Sequence, residues 1–383
     1  MVFILKRLYS AFYPPVPNST SPTPLRFGIL GAANIAPIAL VLPIKNHPDA
    51  VVHAVAARDQ KRADAFAKKW GIRKAYGGST AYQELLDDPQ VDAIYNPLPN
   101  GLHYEWTMKA LAAGKHVLLE KPSANTSEET RRMFEFAEKK GLVLLEAFHY
   151  RFHPAVRRAK EIVSSGELGE ITRIETSMSV PVGIIKANDI RLQYNLGGGA
   201  LMDMGCYAMS MARYLAGSNP VRVVTASADT ESAFPKIDVG TTATLAFASP
   251  TSEFTANVRA VLRDPLRFGF IPRMPELTAR VVGTQGELTL FNFVLPWAYH
   301  YITVQSTLKT GAKQTRTEKH YGKDSWTTYR YQLEAFVDKV RGRTPEHWYD
   351  AEDSIANLQW IEHIYEETGL GARPASTAQV PAE

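Results

Sequence analysis

The 383-residue chain holds a single cysteine, Cys206. An internal disulfide is therefore impossible, no cysteine set can hold a structural metal, and a reducing compartment is the expected setting. No stretch approaches the ~20 apolar residues of a membrane span. The opening apolar run, Val2 to Leu5, is too short for a secretory core and precedes its charges instead of following them. Dense blocks of Lys and Arg are also missing: the net charge of +4 is spread along the chain. Nucleic acid is thus not an expected partner, whereas an anionic small molecule such as a phosphorylated cofactor suits a mildly basic protein. The ten histidines are scattered, so no metal is expected. There is no internal repeat. These absences describe a cytoplasmic protein that binds a small molecule, with no nucleic acid and no membrane partner.

The length calls for two domains. Prolines crowd the start, at Pro14, Pro15, Pro17, Pro22 and Pro24, and residues 1–24 read as an extended arm. From Leu25 the texture becomes regular. Short apolar runs at Arg26–Leu30, Val51–Ala57, Asp92–Asn96, His116–Glu120 and Leu142–Glu146 alternate with helical stretches at 60–70, 104–113 and 127–140. That alternation predicts βαβ units and a parallel sheet over 25–150. Ser127 is the expected N-cap of the last helix. After Arg151 and a helix at Pro154–Ser165, period-two strands dominate: 171–179, 221–227, 241–247, 254–261, 277–282, 287–291 and 302–305. A helix is inserted around 205–216. The expectation is an α/β Rossmann-type domain followed by an α+β domain over 151–345 with an antiparallel sheet. Helices at 329–341 and 351–368 and a frayed tail from 372 close the chain.

The first βα turn reads Gly31-Ala32-Ala33-Asn34-Ile35-Ala36. Against the glycine fingerprint of dinucleotide-binding sites only the first glycine is kept. Alanine is nevertheless small enough for close backbone approach and tight helix packing, and the turn sits after a strand and before a helix. Gly31, Ala33, Asn34 and Ile35 are therefore candidate pyrophosphate contacts. An NAD site usually ends its second strand in an acid that binds the ribose hydroxyls. Here the strand ends Ala57-Arg58-Asp59-Gln60-Lys61-Arg62. The guanidinium of Arg58, with Arg62 near it, forks well onto a 2′-phosphate, which favours NADP; Asp59 next door also fits NAD.

Glu120-Lys121-Pro122 falls at the carboxyl end of a buried strand, where ligands bind in an open α/β sheet. A lysine there is costly to desolvate without a task or a partner. The proline stiffens the turn and admits a cis peptide. About 80 residues on comes Gly197-Gly198-Gly199-Ala200-Leu201-Met202-Asp203-Met204-Gly205-Cys206-Tyr207. Three glycines indicate close backbone approach. In a helix, Asp203 and Tyr207 would share one face. A carboxylate, a phenol and an ammonium together make an acid–base set, in which Lys121 would draw the Tyr207 hydroxyl down from its ordinary value. The plain alternatives are a surface lysine, a helix-capping aspartate and a core tyrosine.

Taken in order, Asn96-Pro97 with His103, Gly114-Lys115-His116-Val117 leading to Glu120-Lys121-Pro122, Glu146-Ala147-Phe148-His149-Tyr150-Arg151-Phe152-His153-Pro154, and the glycine run with Asp203 and Tyr207 resemble the glucose–fructose oxidoreductase/inositol dehydrogenase (Gfo/Idh/MocA) family over about residues 25–370. The resemblance implies a Rossmann domain followed by a large, mostly antiparallel sheet that often serves as a dimer interface, hence a homodimer. It implies that Lys121 contacts substrate and nicotinamide and that Asp203 and Tyr207 complete the catalytic set. Pro97, Asn100, His103 and Glu120 fall on the cofactor side, and Arg151 and Tyr194 are further candidate substrate contacts. Tyr207, where inositol dehydrogenases carry His, and the Pro99-Asn100-x-x-His103 segment are similar to glucose–fructose oxidoreductase, NADP-linked D-xylose 1-dehydrogenases and dimeric dihydrodiol dehydrogenases. His149 departs from the family, where Met is common. The implied activity is NADP-linked hydride transfer at a sugar or polyol carbon, with Tyr207 as base. A trans-dihydrodiol dehydrogenase, a dicarbonyl or modified-sugar reductase, and an NADP-sensing regulator without turnover are the alternatives.

Overall fold

The computed structural model describes residues 2–249, 252–271, 273–307 and 312–380. Helix α1 (Val2–Phe12) comes first. This corrects the expected arm over 1–24: only 13–24 lack regular structure. The proline-rich half hid a stretch free of Pro and Gly and rich in helix formers. Arg7 anchors the helix, donating from Nε to the Trp297 carbonyl at 2.8 Å.

The parallel sheet contains β1 (Leu25–Leu30), β2 (Ala50–Ala57), β3 (Lys74–Gly77), β4 (Ala93–Asn96), β5 (His116–Leu119) and β6 (Leu144–Glu146). Its order is β3-β2-β1-β4-β5-β6. Every pairing is parallel. Helices cover both faces, so Phe27, Ile29 and Leu30 have no exposure; each such side chain gains about 1.5–3 kcal/mol on burial. The helices are α2 (Leu42–Lys45), α3 (Gln60–Trp70), α4 (Ala81–Asp87), α5 (His103–Ala112) and α6 (Ser127–Lys139). The N-cap of α6 is Thr126, one residue before the expected Ser127. Thr126 and Glu129 form a reciprocal capping box. Strand order reverses between β1 and β4, which opens a crevice at the carboxyl ends of the strands.

Helix α7 (Pro154–Ser164) leads into the second sheet. It comprises β7 (Ile171–Pro181), β8 (Arg222–Glu231), β9 (Phe234–Ala248), β10 (Glu253–Asp264), β11 (Glu276–Gly283), β12 (Gly286–Phe291), β13 (Tyr301–Thr307) and β14 (Lys313–Glu318), with helix α8 (Cys206–Ala216) inserted. The order is β14-β13-β12-β11-β7-β10-β9-β8. One pairing, β10 with β7, is parallel, so the sheet is mostly rather than wholly antiparallel. Side chains alternate cleanly: Phe254, Ala256, Val258 and Ala260 of β10 point inward beneath α8, and Thr255, Asn257 and Arg259 outward. Helices α9 (Thr328–Val340) and α10 (Ala351–Glu367) return to the first sheet, α10 packing on α6.

The tail is not frayed. Arg373 is buried, and its guanidinium bonds Asp238 and the Gly198 carbonyl at 2.6 and 2.7 Å. The Pro374 carbonyl accepts from Asn125 at 2.7 Å. Residues 381–383 lie outside the described residues.

Candidate active site

The loops that follow β1, β4, β5 and β6 converge on a cavity of about 540 Å³ that also meets the start of α8. Its walls are apolar on the side of the second sheet, with Met178, Val180, Ile184, Ile185, Ile190, Val294 and Leu295. Its floor is polar, with Lys121, Asp203, Arg191, Tyr207 and His149. Ile35, Pro97, Leu98, Asn100 and Glu120 border it from the Rossmann side.

Gly31 has φ +87°, and a Cβ there would meet Leu98 Cδ2 at 3.2 Å, so glycine is required at the turn. Ala36 is the cap of a π-turn (Pro37–Val41) that starts behind Ala33 and the exposed Asn34. Arg58 and Arg62 are exposed at the end of β2 and the start of α3. Asp59 caps α3, accepting from the Arg62 N–H at 2.8 Å. Its carboxylate is thus engaged at the helix terminus while the two guanidinium groups stay available. The backbone cradle, the basic rim and the path through Ile35 and Leu98 to Lys121 fit a dinucleotide with an additional phosphate.

Lys121 follows β5 through a cis peptide to Pro122. Its Nζ donates to the Asp203 carbonyl at 2.8 Å and to Asp203 Oδ1 at 2.9 Å. Arg191 Nε donates to Asp203 Oδ2 at 2.7 Å. Burial alone would raise the Asp203 carboxyl, but Lys121 and Arg191 outweigh it and hold it far below the usual range. Burial also opposes the Lys121 charge, yet the Asp203 carboxylate keeps it above its ordinary value. Lys121 is a fixed ammonium. Glu120 behind it accepts from the Tyr95 hydroxyl at 2.7 Å.

Asp203 and Tyr207 do not share one regular helix. Leu201–Gly205 is a π-turn, and α8 begins after it. The turn lets Asp203 reach Lys121 while Tyr207 enters the cavity from the first turn of α8. The Lys121 Nζ lies over the face of the Tyr207 ring, 4.8 Å from its centre, not at its oxygen. Burial, with Tyr329 and Glu120 nearby, pushes the Tyr207 hydroxyl well above its ordinary value. The expectation that Lys121 draws it down is therefore corrected: the ammonium is held by Asp203. The Tyr207 oxygen lies 3.1 Å from His149 Nε2, and His149 Nδ1 lies 2.8 Å from the Thr328 hydroxyl.

The glycine run packs against its own chain. A Cβ at Gly198 would meet the Arg191 carbonyl at 2.5 Å, and one at Gly199 the Asp238 carboxylate at 2.3 Å. Asn100 ties the run to the Rossmann side through the Gly197 carbonyl at 3.0 Å. His103 is buried between the Leu98 and Pro122 carbonyls, at 2.7 and 2.8 Å, and joins the loops after β4 and β5.

Two of the candidate substrate contacts do not reach the cavity. On the 3-10 turn His149–Phe152, Arg151 is turned away from His149 and pairs with Asp353 at 2.8 Å, stacked on Tyr214 in a separate surface hollow. Tyr194 faces the tail: its ring lies beside Lys236 and Arg373. Sequence reasoning missed Arg191, Tyr329 and the hydrogen-bonding role of His149. Arg191 lies between Asp189 and the glycines with no motif around it. His149 and His153 are four apart, an H-x-x-x-H pair that the reading of scattered histidines overlooked; His153 Nδ1 accepts from the Ala155 N–H, while the His149 nitrogens meet Thr328 and Tyr207. Among the described residues no His/Cys/Asp/Glu group could hold a metal.

Residues 25–148 match the family model described as an oxidoreductase family with an NAD-binding Rossmann fold, and residues 156–289 match the GFO/IDH/MocA C-terminal domain. The chain is 37% identical over 354 residues to D-xylose 1-dehydrogenase (NADP(+)) 2 of Haloferax volcanii, covering 91% of this chain and 98% of that one. A crystal structure of a 3-ketoreductase from Actinomadura kijaniata with NADP and TDP-benzene matches with a TM-score of 0.75 at 28% identity, over 93% of this chain and all of that one. An aldose-aldose oxidoreductase from Caulobacter crescentus, complexed with glycerol, matches with a TM-score of 0.75 at 26% identity, over 90% and 98% of the two chains.

Proposed function

The chain belongs to the Gfo/Idh/MocA oxidoreductase family, and from that premise we propose that it is an NADP-dependent dehydrogenase oxidising C1 of an aldose in its pyranose form. The observation that carries the reading is the polar floor of the cavity: Lys121, Asp203 and Tyr207 converge at the end of the path from the dinucleotide turn. NADP supplies the hydride acceptor at the nicotinamide. Gly31, Ala33, Asn34 and Ile35 hold the pyrophosphate, Arg58 and Arg62 the 2′-phosphate, and Pro97, Asn100, His103 and Glu120 shape the nicotinamide end. The Lys121 ammonium polarises the substrate oxygen, and Asp203 fixes that ammonium in place. Tyr207 accepts the hydroxyl proton.

A second reading, reduction of a modified sugar, draws support from the apolar wall of Met178, Val180, Ile184 and Ile185, which suits a body less hydroxylated than a free aldose. We also read the protein as cytoplasmic and homodimeric. Among the described residues no helix is long and apolar enough to cross a membrane. The outward face of the second sheet presents Glu175, Asn257 and Arg280 on neighbouring strands, a polar face we assign to a second copy.

The test is NADPH formation, followed at 340 nm, with D-xylose, D-glucose, myo-inositol and a trans-dihydrodiol, using NADP and NAD in parallel. An aldose turned over with NADP preferred supports the reading; turnover of the dihydrodiol alone overturns it. In the same assay Arg58→Ala raises the KM for NADP about 10-fold or more and leaves that for NAD nearly unchanged, because a charge-assisted fork to phosphate is lost. An equal effect on both cofactors contradicts the role given to Arg58.

A further inference from the structure

The dehydrogenase reading leaves Tyr207 short of what a base needs. Its hydroxyl is buried among groups that disfavour phenolate, and the one cation over its ring is held by Asp203. A buried phenol of this kind accepts a proton only if its own has somewhere to go. The acceptor in reach is His149. This residue sits on the turn after β6 with 1% exposure, and its Nε2 is 3.1 Å from the Tyr207 oxygen. Its ring lies on that of Tyr329, centres 4.0 Å apart, which fixes the imidazole plane. Its second nitrogen meets the Thr328 hydroxyl at 2.8 Å, so both nitrogens are engaged on opposite sides.

We propose that His149 is the positioning residue that makes Tyr207 a base: it holds the phenol hydrogen away from the cavity and takes up that proton as the substrate's arrives. The inference rests on the dehydrogenase reading above. With Nδ1–H donated to Thr328, Nε2 carries a lone pair and the Tyr207 O–H donates to it. The free lone pairs of the Tyr207 oxygen then face the cavity. In the oxidation, the substrate O–H proton passes to Tyr207 and the Tyr207 proton passes to His149 Nε2. The electron pair of the breaking C–H bond leaves to the nicotinamide of NADP, and the O–H bonding pair becomes the second C–O bond. Burial, reinforced by Lys121, lowers the imidazole to about 3. His149 is therefore neutral, and its lone pair accepts the phenol hydrogen, throughout the ordinary pH range; so weak a base takes the proton only in concert with hydride departure, when the substrate oxygen becomes more acidic than the imidazolium, and yields it to solvent as product leaves. The logic resembles that of a hydrolase triad, in which a partner fixes the tautomer and orientation of the reacting group.

The first experiment uses the unliganded wild-type protein. Nitrogen-15 NMR of the His149 ring is expected to show an unprotonated Nε2 and a protonated Nδ1 at pH 7; a protonated Nε2 overturns the proposal. The second compares wild type with His149→Met and His149→Gln. His149→Met is expected to lower kcat about 10- to 100-fold while the KM for sugar and the Kd for NADPH stay within about two-fold, a share of the general-base contribution. His149→Gln, which accepts the phenol hydrogen but cannot take the proton, is expected to keep KM and the low kcat. The dependence of kcat on the deuterium fraction of the solvent is expected to be curved in the wild type, where two protons move, and linear in His149→Met. An unchanged kcat, or a curve that persists in the variant, overturns the relay. If the wild type turns over no alcohol although Nε2 is unprotonated, the dehydrogenase reading falls and takes the relay with it. A protonated Nε2 in an active enzyme removes the relay alone.

Discussion

Asp203 places both carboxylate oxygens on cations, Oδ1 on Lys121 and Oδ2 on Arg191. It is therefore a fixed anion, and any proton that moves at this site belongs to Tyr207 and its neighbours. Lys121, Asp203 and Tyr207 were legible in the sequence because their segments carry patterns: an apolar strand ending in Glu-Lys-Pro, and a glycine run leading to an acid and a phenol. Arg191, Tyr329 and Thr328 were not legible, since each joins the site by tertiary packing and none stands in a motif that carries chemistry. Arg151 was misplaced because each residue along a 3-10 turn swings the side chain by about 120°, which strand-end reasoning does not resolve. A buried carboxyl just behind the site gives a residue-scale prediction. Burial raises Glu146 to about 8, and its Oε1 accepts from the Ser123 N–H at 2.7 Å. Folded Glu146 thus keeps its proton where the unfolded chain, with a carboxyl near ~4.3, has lost it. Its contribution to stability is present below that value and is lost as pH rises towards about 8. Glu146→Gln keeps the acceptor and removes the titration. Its Tm relative to wild type is expected to be higher at pH 8 than at pH 5; an equal difference at the two pH values contradicts the assignment.

The strands that sequence reasoning missed, β3 and β14, are each the last strand of their sheet. Edge strands are short and polar to resist pairing with another chain, so they lack the apolar run or alternation that reveals central strands. β14 reads Lys-Gln-Thr-Arg-Thr-Glu, with no apolar residue. The two π-turns were likewise not legible, because Pro37–Val41 and Leu201–Gly205 are apolar nearly all round and no period marks the extra residue in the turn. Where a helix was expected with bounds, its start was legible to within a residue; α1 and α4 were not expected. At α6 the cap bonds belong to Thr126, whose hydroxyl accepts from the Glu129 N–H at 3.2 Å while the Glu129 carboxylate accepts from the Thr126 N–H at 3.3 Å. Thr126→Ala is expected to cost about 1 kcal/mol as read by urea unfolding. A cost near zero would contradict the cap.

Across the whole molecule the tail joins what the linear sequence keeps apart. Arg373 links Asp238 of β9 to the Gly198 carbonyl, and the residues after it bind Asn125 and Glu129 on the Rossmann side. Both partners of the Arg373–Asp238 pair are fully buried. Arg373→Ala strands the carboxylate and is expected to cost roughly 3–5 kcal/mol in urea unfolding. Asp238→Asn in the same chain is expected to recover part of the loss; a loss of under about 1 kcal/mol would mean that the tail does not hold the glycine run. Composition suggested fraying here, because a segment rich in Ala, Pro and Ser carries no sign that its one arginine is buried.

The central claim is that Tyr207 takes the substrate proton on the floor set by Lys121 and Asp203. It is tested most directly by stopped-flow NADPH formation in Tyr207→Phe beside wild type, with the Kd for NADPH measured on the same samples. The account predicts a fall of about 10²- to 10⁴-fold in the rate with Kd within about two-fold. A rate within about three-fold of wild type, at unchanged Kd, would place the base elsewhere and contradict it.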